Sequence, residues 1–446
     1  MNYFDEIANP STIALRTVKP KRVWLPRFAW VKLSFPSPKV EDVPNTVRNE
    51  LEQAFVAANI RPGMQVAIAV GSRGVADLVT IVRTVVEELK RRGTKPFIVP
   101  AMGSHGGATA KGQSEVLHAL GVTPDTVGTS MRSSMQVVKL GETDEGVPLF
   151  MDRNAYQADA IIVVNRVREH TDFNGPVQSG LMKMVSIGLG KASGATAIHE
   201  RGAAQMHIQI PKVARGILER LPMISGLAVV ENADCQVAAI RCALPDNFEA
   251  VDRNLLLLSQ KLTPRLPVDE LDVLVVRDIG KDISGFGMDS KTVGRIRIPG
   301  VPEPDRPRIA RIAALDLTPA SHGNATGLCL SDVTTQRLVS KINFQAFYVN
   351  QLACGHLQGA IIPMVLASER EALEVVMGVG WMIDPGSLRA IIIQDTKKLG
   401  RILVSEVMLP DFEKMPGCEV ESTPFALSFN REGDLIYNNK SKKVTL

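Results

Sequence analysis

The sequence predicts an α/β protein of two domains, each built on a largely parallel sheet. Its 446 residues exceed what one hydrophobic core usually organises. From about residue 47 onward, buried-strand patterns alternate with amphipathic-helix patterns, as they do in parallel α/β sheets. The segment LTPRLPVDE carries two prolines and predicts a hinge. We therefore expect an N-terminal domain over 1–265 and a C-terminal domain over 266–446, with the site in the cleft between them.

The N-terminal domain contains three predicted strand-then-loop units. The first is QVAIAV followed by GSRG, the second is FIVPAM followed by GSHGG, and the third is AIIVVN followed by a segment rich in glycines and cations. Apolar residues at helical spacing come after the first two loops, and a further strand, GLAVVEN, follows the third unit. The helices are predicted to end before Gly93, to run from about Lys111 to Leu120, and to cover about 250–262.

The same alternation restarts beyond the hinge. LDVLVVRDIG and RIAALDLT are predicted strands on either side of the proline-rich segment IPGVPEPDRP. We expect a helix from about Ala325 to Ile342, and then the strands LRAIIIQD and RILVSEVM. Residues 1–45 are punctuated by prolines and predict an edge strand or a strap.

Composition excludes several kinds of protein. The chain is 45% hydrophobic and 22% charged, which is ordinary for a globular protein. A net charge of +4 without a basic cluster disfavours nucleic acid as a partner. No apolar run is long enough for a membrane span, and MNYFDEIANPSTIALR lacks the apolar centre of a secretory signal. The five cysteines form no close pairs, so we expect a reducing, cytoplasmic compartment.

Cations, histidines and glycines gather in the loops after the predicted strands. Ligands of parallel sheets bind beyond the carboxyl ends of the strands. Three loops there carry Arg73, His105 and His170, each beside glycine or small polar residues. Glycine lets a backbone approach a ligand, N–H groups at a helix start favour phosphate, and imidazole can carry protons or bind metals. The sequence therefore predicts a site for an anion.

Several familiar motifs are incomplete in this chain. HERGAAQMH lacks the H-E-x-x-H spacing of a zinc protease, SIGLGKAS departs from a phosphate-binding P-loop, and VGSRGVAD is not G-x-G-x-x-G. Zinc proteolysis and a standard dinucleotide site are therefore disfavoured. The residues alone leave open whether each loop histidine is catalytic or only hydrogen-bonded to backbone.

Several motifs together resemble those of the lactate racemase family of nickel-pincer enzymes. In the N-terminal half they are GSRG, AMGSHGG, HTDF, SGLMKM and GATAIH, and GKDISGFGMD extends the resemblance into the C-terminal half. The resemblance implies a racemase or epimerase of a 2-hydroxy acid, lactate-like or larger, that transfers hydride to and from its cofactor. That cofactor is the nickel-pincer nucleotide, pyridinium-3,5-bisthiocarboxylic acid mononucleotide with nickel. The implied partners are the substrate and the enzymes of cofactor maturation.

The resemblance also implies how the cofactor is held. Lys183 would attach it covalently through a thioamide bond, and His199 would be the nickel ligand. The phosphate tail would lie across the glycine-rich turns. Its implied contacts are Ser72, Gly74, Ser104, Gly106, Gly107 and Lys191.

Four further residues are implied to act on the substrate. His105 and His170 would be the acid/base pair, since imidazoles exchange protons near neutral pH. Arg73 and Lys281 would hold the substrate, since cations pair with a carboxylate and polarise a developing alkoxide.

Each assignment has a plainer alternative. Lys183 could be an amphipathic lysine at a helix edge, His207 could replace His199 as the ligand, and Arg73 could bind phosphate instead of substrate. Asp172 could orient a catalytic group or form a turn. The alternative function is a non-catalytic protein of the same fold that binds the cofactor or an anionic metabolite, and a zinc hydrolase or lyase is a third.

Overall fold

A computed structural model describes residues 25–57, 60–378 and 385–437. The segment MNYFDEIANPSTIALR, on which the absence of a secretory signal was predicted, lies outside these residues. The described residues divide into two compact units: those between Pro36 and Thr263 form the N-terminal unit, and those from Pro264 onward form the C-terminal unit together with those before Pro36. The first described strand, β1 (Phe28–Leu33), therefore belongs to the C-terminal unit. The hinge and the cleft stay predictions.

The N-terminal unit is a parallel sheet with helices on both faces. Its strands are β2 (Gln65–Val70), β3 (Lys95–Pro100), β4 (Val137–Glu142), β5 (Pro148–Asp152), β6 (Ala160–Arg166), β7 (Met223–Glu231) and β8 (Val237–Ala243). Its helices are α1 (Val43–Ala57), α2 (Leu78–Arg91), α3 (Ala110–Ala119), α4 (Pro124–Val127), α5 (Arg153–Tyr156), α6 (Leu181–Lys183), α7 (Lys191–His199), α8 (Met206–Leu218) and α9 (Phe248–Leu262). The sheet order is β3-β2-β6-β7-β8, with β8 antiparallel to β7, and β4 and β5 form a separate antiparallel hairpin.

Alternate residues of β2 face two separate apolar cores. Val66 and Ile68 pack in the core that contains side chains of α1 and α2, and Ala67 and Ala69 pack in the core that contains side chains of α8 and α9. A strand that is buried on both faces is apolar at every position, which is why QVAIAV and AIIVVN predicted strands. The three strand-then-loop units and the helices near 111–120 and 250–262 are confirmed.

The C-terminal unit is a second α/β sheet. Its strands, after β1, are β9 (Glu270–Ile279), β10 (Arg308–Leu317), β11 (Val333–Thr335), β12 (Met364–Leu366), β13 (Ala390–Ile393), β14 (Arg401–Ser405), β15 (Cys418–Val420), β16 (Ser428–Phe429) and β17 (Leu435–Ile436). Its helices are α10 (Ser290–Val293), α11 (Gln336–Ser340), α12 (Phe344–Cys354), α13 (Glu369–Gly378) and α14 (Leu409–Phe412). The order of the large sheet is β12-β11-β10-β9-β13-β14-β1-β15, and β16 pairs with β17. Strands β9 to β13 run parallel, so the predicted α/β class with largely parallel sheets is confirmed.

Two predictions for this unit are wrong. Strand β1 is neither an edge strand nor a strap, because it pairs with β14 on one side and β15 on the other. The helix expected from Ala325 to Ile342 is replaced by β11 and the short helix α11. The hydroxyls of Thr334 and Thr335 donate to the carbonyls of Ala314 and Leu315 in β10. Two adjacent β-branched residues favour an extended chain, and pairing with β10 overrides the helical spacing.

In the part of the chain that the structure describes, every helix is too short or too polar to cross a bilayer. The cysteines that the structure describes with side chains are free thiols. They are Cys235, Cys242, Cys329 and Cys418.

Candidate functional site

Three loops of the N-terminal unit leave its sheet at one edge. Ser72 and Arg73 follow β2, His105 follows β3, and His170 follows β6. These three strands are parallel neighbours, so their carboxyl ends point the same way. From β2 the chain continues to β3, which lies on one side of β2 in the sheet, and it later enters β6, which lies on the other side of β2. The boundary between β2 and β6 is therefore a topological switch point. Ligands of open parallel sheets bind at such points.

Ser72 and His105 connect two of these loops. A hydrogen bond joins Oγ of Ser72 to Nδ1 of His105. A hydroxyl can donate to this nitrogen or accept from it, so either neutral tautomer of the ring is supported. The bond therefore orients the imidazole and still allows the position of its proton to change.

His170 is held through its backbone and through its ring. Its backbone N–H donates to Oε1 of Gln178 over 2.6 Å, and the backbone N–H of Asp172 donates to its Nδ1 over 3.1 Å. The ring stacks on Phe173 with 4.5 Å between centroids. Because Nδ1 accepts a hydrogen bond, the neutral ring carries its proton on Nε2. Burial, and then the charge of Lys183, lower the pKa of His170 to about 3, so the ring is neutral at physiological pH.

Lys183 is the last residue of α6, and a π-helical turn over Met184–Gly188 follows it. Such turns are rare and frequently lie at functional sites. The pKa of Lys183 is lowered to about 8, mainly by burial; the carboxylate of Asp172 opposes this change, and the charge of Arg73 contributes to it. At pH 7 about one amine in ten is therefore neutral, so Lys183 is a better nucleophile than an ordinary lysine.

Asp252, on α9, fixes the start of α6. Its Oδ1 accepts from the N–H of Leu181 over 2.8 Å and its Oδ2 from the N–H of Met182 over 2.9 Å. A Cβ on Gly180 would lie 2.3 Å from Oδ1, so this close approach needs glycine. Burial raises the pKa of Asp252 to about 7, against the opposing effect of the two donors. Asp252 is not among the site residues predicted from the sequence; its signal there is a carboxylate on the otherwise apolar face of a predicted helix.

His199 ends α7 and lies close enough to Lys183 to be affected by its charge. Burial, and then Lys183, lower the pKa of His199, although the side chain keeps an exposed surface. A straight helix would separate residues sixteen positions apart by about 24 Å, so the chain has to turn back between them. It does so at Leu189 and Gly190, between the π-helical turn and α7. A lowered pKa favours the neutral imidazole, which is the form that binds metal ions.

Positive charge exceeds negative charge around these residues. Burial, followed by the charges of Arg166 and Arg168, lowers the pKa of Arg73, and Asp172 raises it. Arg166 forms an ion pair with Glu231. The carboxylate of Asp172 also raises the pKa values of His170, Lys183 and His199, against the lowering effect of burial. Asp172 is therefore a negative charge shared by these three side chains. An excess of cations over carboxylates favours an anionic ligand.

Lys191 is not a phosphate contact, and this prediction is corrected. Its side chain has no exposed surface. The ammonium forms an ion pair with Oδ2 of Asp152 at 3.2 Å, and donates to Oε1 of Gln113 over 2.9 Å and to the carbonyl of Pro100. Two hydrogen bonds and one ion pair inside the protein therefore hold the ammonium.

The glycines of the loop after β3 serve different purposes. A Cβ on Gly106 would lie 2.5 Å from the carbonyl carbon of Gly112, so Gly106 permits packing against the start of α3. Gly107 has φ 64° and open space around the position of a Cβ. It lies exposed, as do Ser104 and Gly74, and contacts of these residues with a phosphate stay predictions.

Lys281 belongs to the C-terminal unit, in the loop after β9. Its backbone N–H donates to Oγ of Ser321 over 3.0 Å and its Nζ to the carbonyl of Gly285 over 2.8 Å. β9 lies between β10 and β13, where the strand order of this sheet reverses, so the loop occupies a second topological switch point. The role of Lys281 toward a substrate stays a prediction.

Part of this chain matches a known domain family. The family model of the lactate racemase N-terminal domain matches residues 29–209. The match assigns these residues to the lactate racemase N-terminal domain. The matched residues include every site residue predicted from the sequence except Lys281, and Asp252 also lies outside them.

One solved structure is similar to this chain over much of its length. It is the lactate racemase apoprotein from Thermoanaerobacterium thermosaccharolyticum, at 12% identity and a TM-score of 0.42, with 64% of this chain and 69% of that chain covered. The comparison with curated proteins gives no match.

Proposed function

We propose that this protein racemises or epimerises a 2-hydroxy acid, lactate-like or larger, with a nickel-pincer nucleotide attached at Lys183. The observation that carries the proposal is a half-buried lysine of lowered pKa beside His170, His199 and Arg73, within the residues that match the lactate racemase N-terminal domain. The alternative, a lysine solvated at a helix edge, predicts an ordinary lysine pKa instead. A cytoplasmic location and an interaction with maturation enzymes are part of the proposal.

The side chains of the site fit this cofactor. Lys183 offers a partly neutral amine for a thioamide, and His199 offers an imidazole nitrogen beside sulfur ligands. Among the residues described, no group of three or more histidine, cysteine, aspartate or glutamate side chains could hold a metal ion, so the remaining nickel ligands would come from the cofactor. The excess of positive charge suits its phosphate and carboxyl groups. When bound, the cofactor supplies a hydride acceptor, which no side chain can provide.

The loop residues would bind the substrate and move its proton. His105 takes the proton of the C2 hydroxyl, since its bond to Ser72 supports either tautomer of the ring. His170, neutral with its proton on Nε2, donates a hydrogen bond to the C2 oxygen, and the imidazolium of His105 returns the proton to that oxygen when the hydroxyl forms again. Arg73 binds the substrate carboxylate, and Lys281 supplies a second cation. Ser72, Gly74, Ser104, Gly106 and Gly107 remain the proposed phosphate contacts.

A first experiment tests the attachment. The full chain is co-expressed with maturation enzymes and analysed by intact-mass spectrometry and nickel content. We expect an adduct of one cofactor in the wild type and in Lys111→Ala, a control on the exposed face of α3, and none in Lys183→Ala. An adduct of undiminished yield in Lys183→Ala would contradict the attachment.

A second experiment separates the enzyme from a non-catalytic binding protein. Single enantiomers of a panel of 2-hydroxy acids are incubated with the nickel-loaded chain, and the products are resolved by chiral chromatography. We expect inversion of at least one acid, and a loss of about 10²–10⁴-fold in His105→Ala and His170→Ala with nickel retained. A loaded protein that inverts none of the panel is the binding protein.

A further inference from the structure

The chain turns back between Lys183 and His199 at a corner with an unusual backbone conformation. Lys191 has φ 54°, in the left-handed region that residues other than glycine rarely adopt. The carbonyl of Leu189, two residues earlier, accepts from the backbone N–H of Asp152 over 2.7 Å. The corner is thus attached to the end of β5 by backbone as well as by the ion pair of Lys191 with Asp152.

The three partners of the Lys191 ammonium come from three different parts of the unit. Asp152 ends β5, Gln113 lies in α3, and the carbonyl of Pro100 ends β3. All three side chains, those of Lys191, Asp152 and Gln113, have no exposed surface. We call these three residues the lysine node.

The lysine node continues into the loop that carries His105. The amide nitrogen of Gln113 donates to the carbonyl of Gly103 over 2.8 Å and to the carbonyl of His105 over 3.3 Å. Its amide oxygen accepts from Lys191, so one side chain joins the corner to the His105 loop. The node therefore connects the two segments that carry His105 and the pair of Lys183 and His199.

A buried ion pair is a costly way to hold a fold. Burial raises the pKa of the Asp152 carboxyl and lowers the pKa of the Lys191 ammonium, and each charge opposes the change in the other. Apolar side chains of similar volume often stabilise a protein as well as such a pair or better. Unlike apolar contacts, the charged pair has directional partners that set a defined geometry.

We infer that Lys191 is a positioning residue that, with Asp152 and Gln113, sets the distance between His105 and the pair of Lys183 and His199. This inference rests on the proposed function, because the distance matters to catalysis if a group attached at Lys183 has to meet both histidines. A displacement of even 1 Å at a reacting centre can reduce a rate about 10²-fold.

The first test separates positioning from stability. Lys191→Met and Asp152→Asn are made singly and together, with the wild type and Lys111→Met as controls; asparagine keeps the oxygen that accepts from the N–H of Ala155 at the start of α5. Each single variant leaves one unpaired buried charge and should melt at least about 5 °C lower. The double variant should recover a melting temperature near that of the wild type and keep the adduct at Lys183, yet invert substrate at least about tenfold more slowly. Full turnover in a stable double variant would overturn the inference.

The second test needs no cofactor and does not depend on the double variant folding. Gln113→Met keeps the ion pair and removes the link to the His105 loop. Amide hydrogen exchange of the apoprotein should become at least about tenfold faster over residues 103–107 and stay unchanged in β2, and Lys111→Met should match the wild type. Unchanged exchange in the loop would show that the node does not order it. If the wild type carries no adduct, the proposed function fails, and this exchange test alone decides whether the node orders the loop.

Discussion

The backbone N–H of Asp172 donates to Nδ1 of His170 over 3.1 Å, and this bond determines which nitrogen of the neutral ring carries the proton. With a pKa lowered to about 3 by burial and by Lys183, His170 should stay neutral and protonated on Nε2 between pH 5 and 8. Nitrogen NMR of the labelled apoprotein checks this, with His170→Gln used to assign the signal. A cationic ring at pH 6, or a neutral ring protonated on Nδ1, would contradict it.

The same residue should make the protein less stable in acid. The folded pKa of His170, about 3, lies below the value of about 6.5 in an unfolded chain. Between these values the unfolded state binds a proton that the folded state does not, so the stabilisation present above pH 6.5 is lost as the pH falls toward 3. On going from pH 7 to pH 5 the wild type should lose about 1–2 kcal/mol of unfolding free energy more than His170→Gln. Urea unfolding at both pH values measures the difference, and equal losses would refute the prediction.

Lys183 should react as an amine at a lower pH than ordinary lysines do. With its pKa lowered to about 8 by burial, its rate of acylation in the apoprotein should reach half its maximum near pH 8, against a pKa of about 10.4 for an unperturbed lysine. Peptide mass spectrometry after brief labelling between pH 6 and 10 gives the profile. Lys111, whose side chain is 88% exposed, is the reference, and identical profiles for the two lysines would exclude the perturbed amine.

Asp252 should be needed for the start of the Lys183 helix. Asp252→Ala removes the acceptors of two buried backbone N–H groups, at Leu181 and Met182, and should lower the unfolding free energy by about 2–4 kcal/mol. Asp246→Ala, an exposed position near the start of the same helix, should stay within about 0.5 kcal/mol of the wild type. Chemical denaturation compares the two, and an equally small effect of both substitutions would show that the contacts of Asp252 are dispensable.

The strands and their loops could be predicted from the sequence because a strand that is buried on both faces has an almost entirely apolar sequence. QVAIAV and AIIVVN are apolar or nearly so throughout, and each leads into a loop with a cation or a histidine. The segment from Ala325 to Ile342 misled the prediction because its apolar spacing suits a helix, whereas Thr334 and Thr335 find hydrogen-bond partners in a strand that lies outside the segment.

By itself the sequence determined the fold class and the residue types of the candidate site, since both depend on local patterns. Only the tertiary structure decided which cations lie beside which partners. Lys183 and Lys191 stand eight residues apart in one glycine-rich segment, yet Lys183 lies near His170 and Lys191 is enclosed with Asp152 and Gln113. Desolvation and long-range charges set the state of each amine, and both arise from segments that come together only when the chain folds.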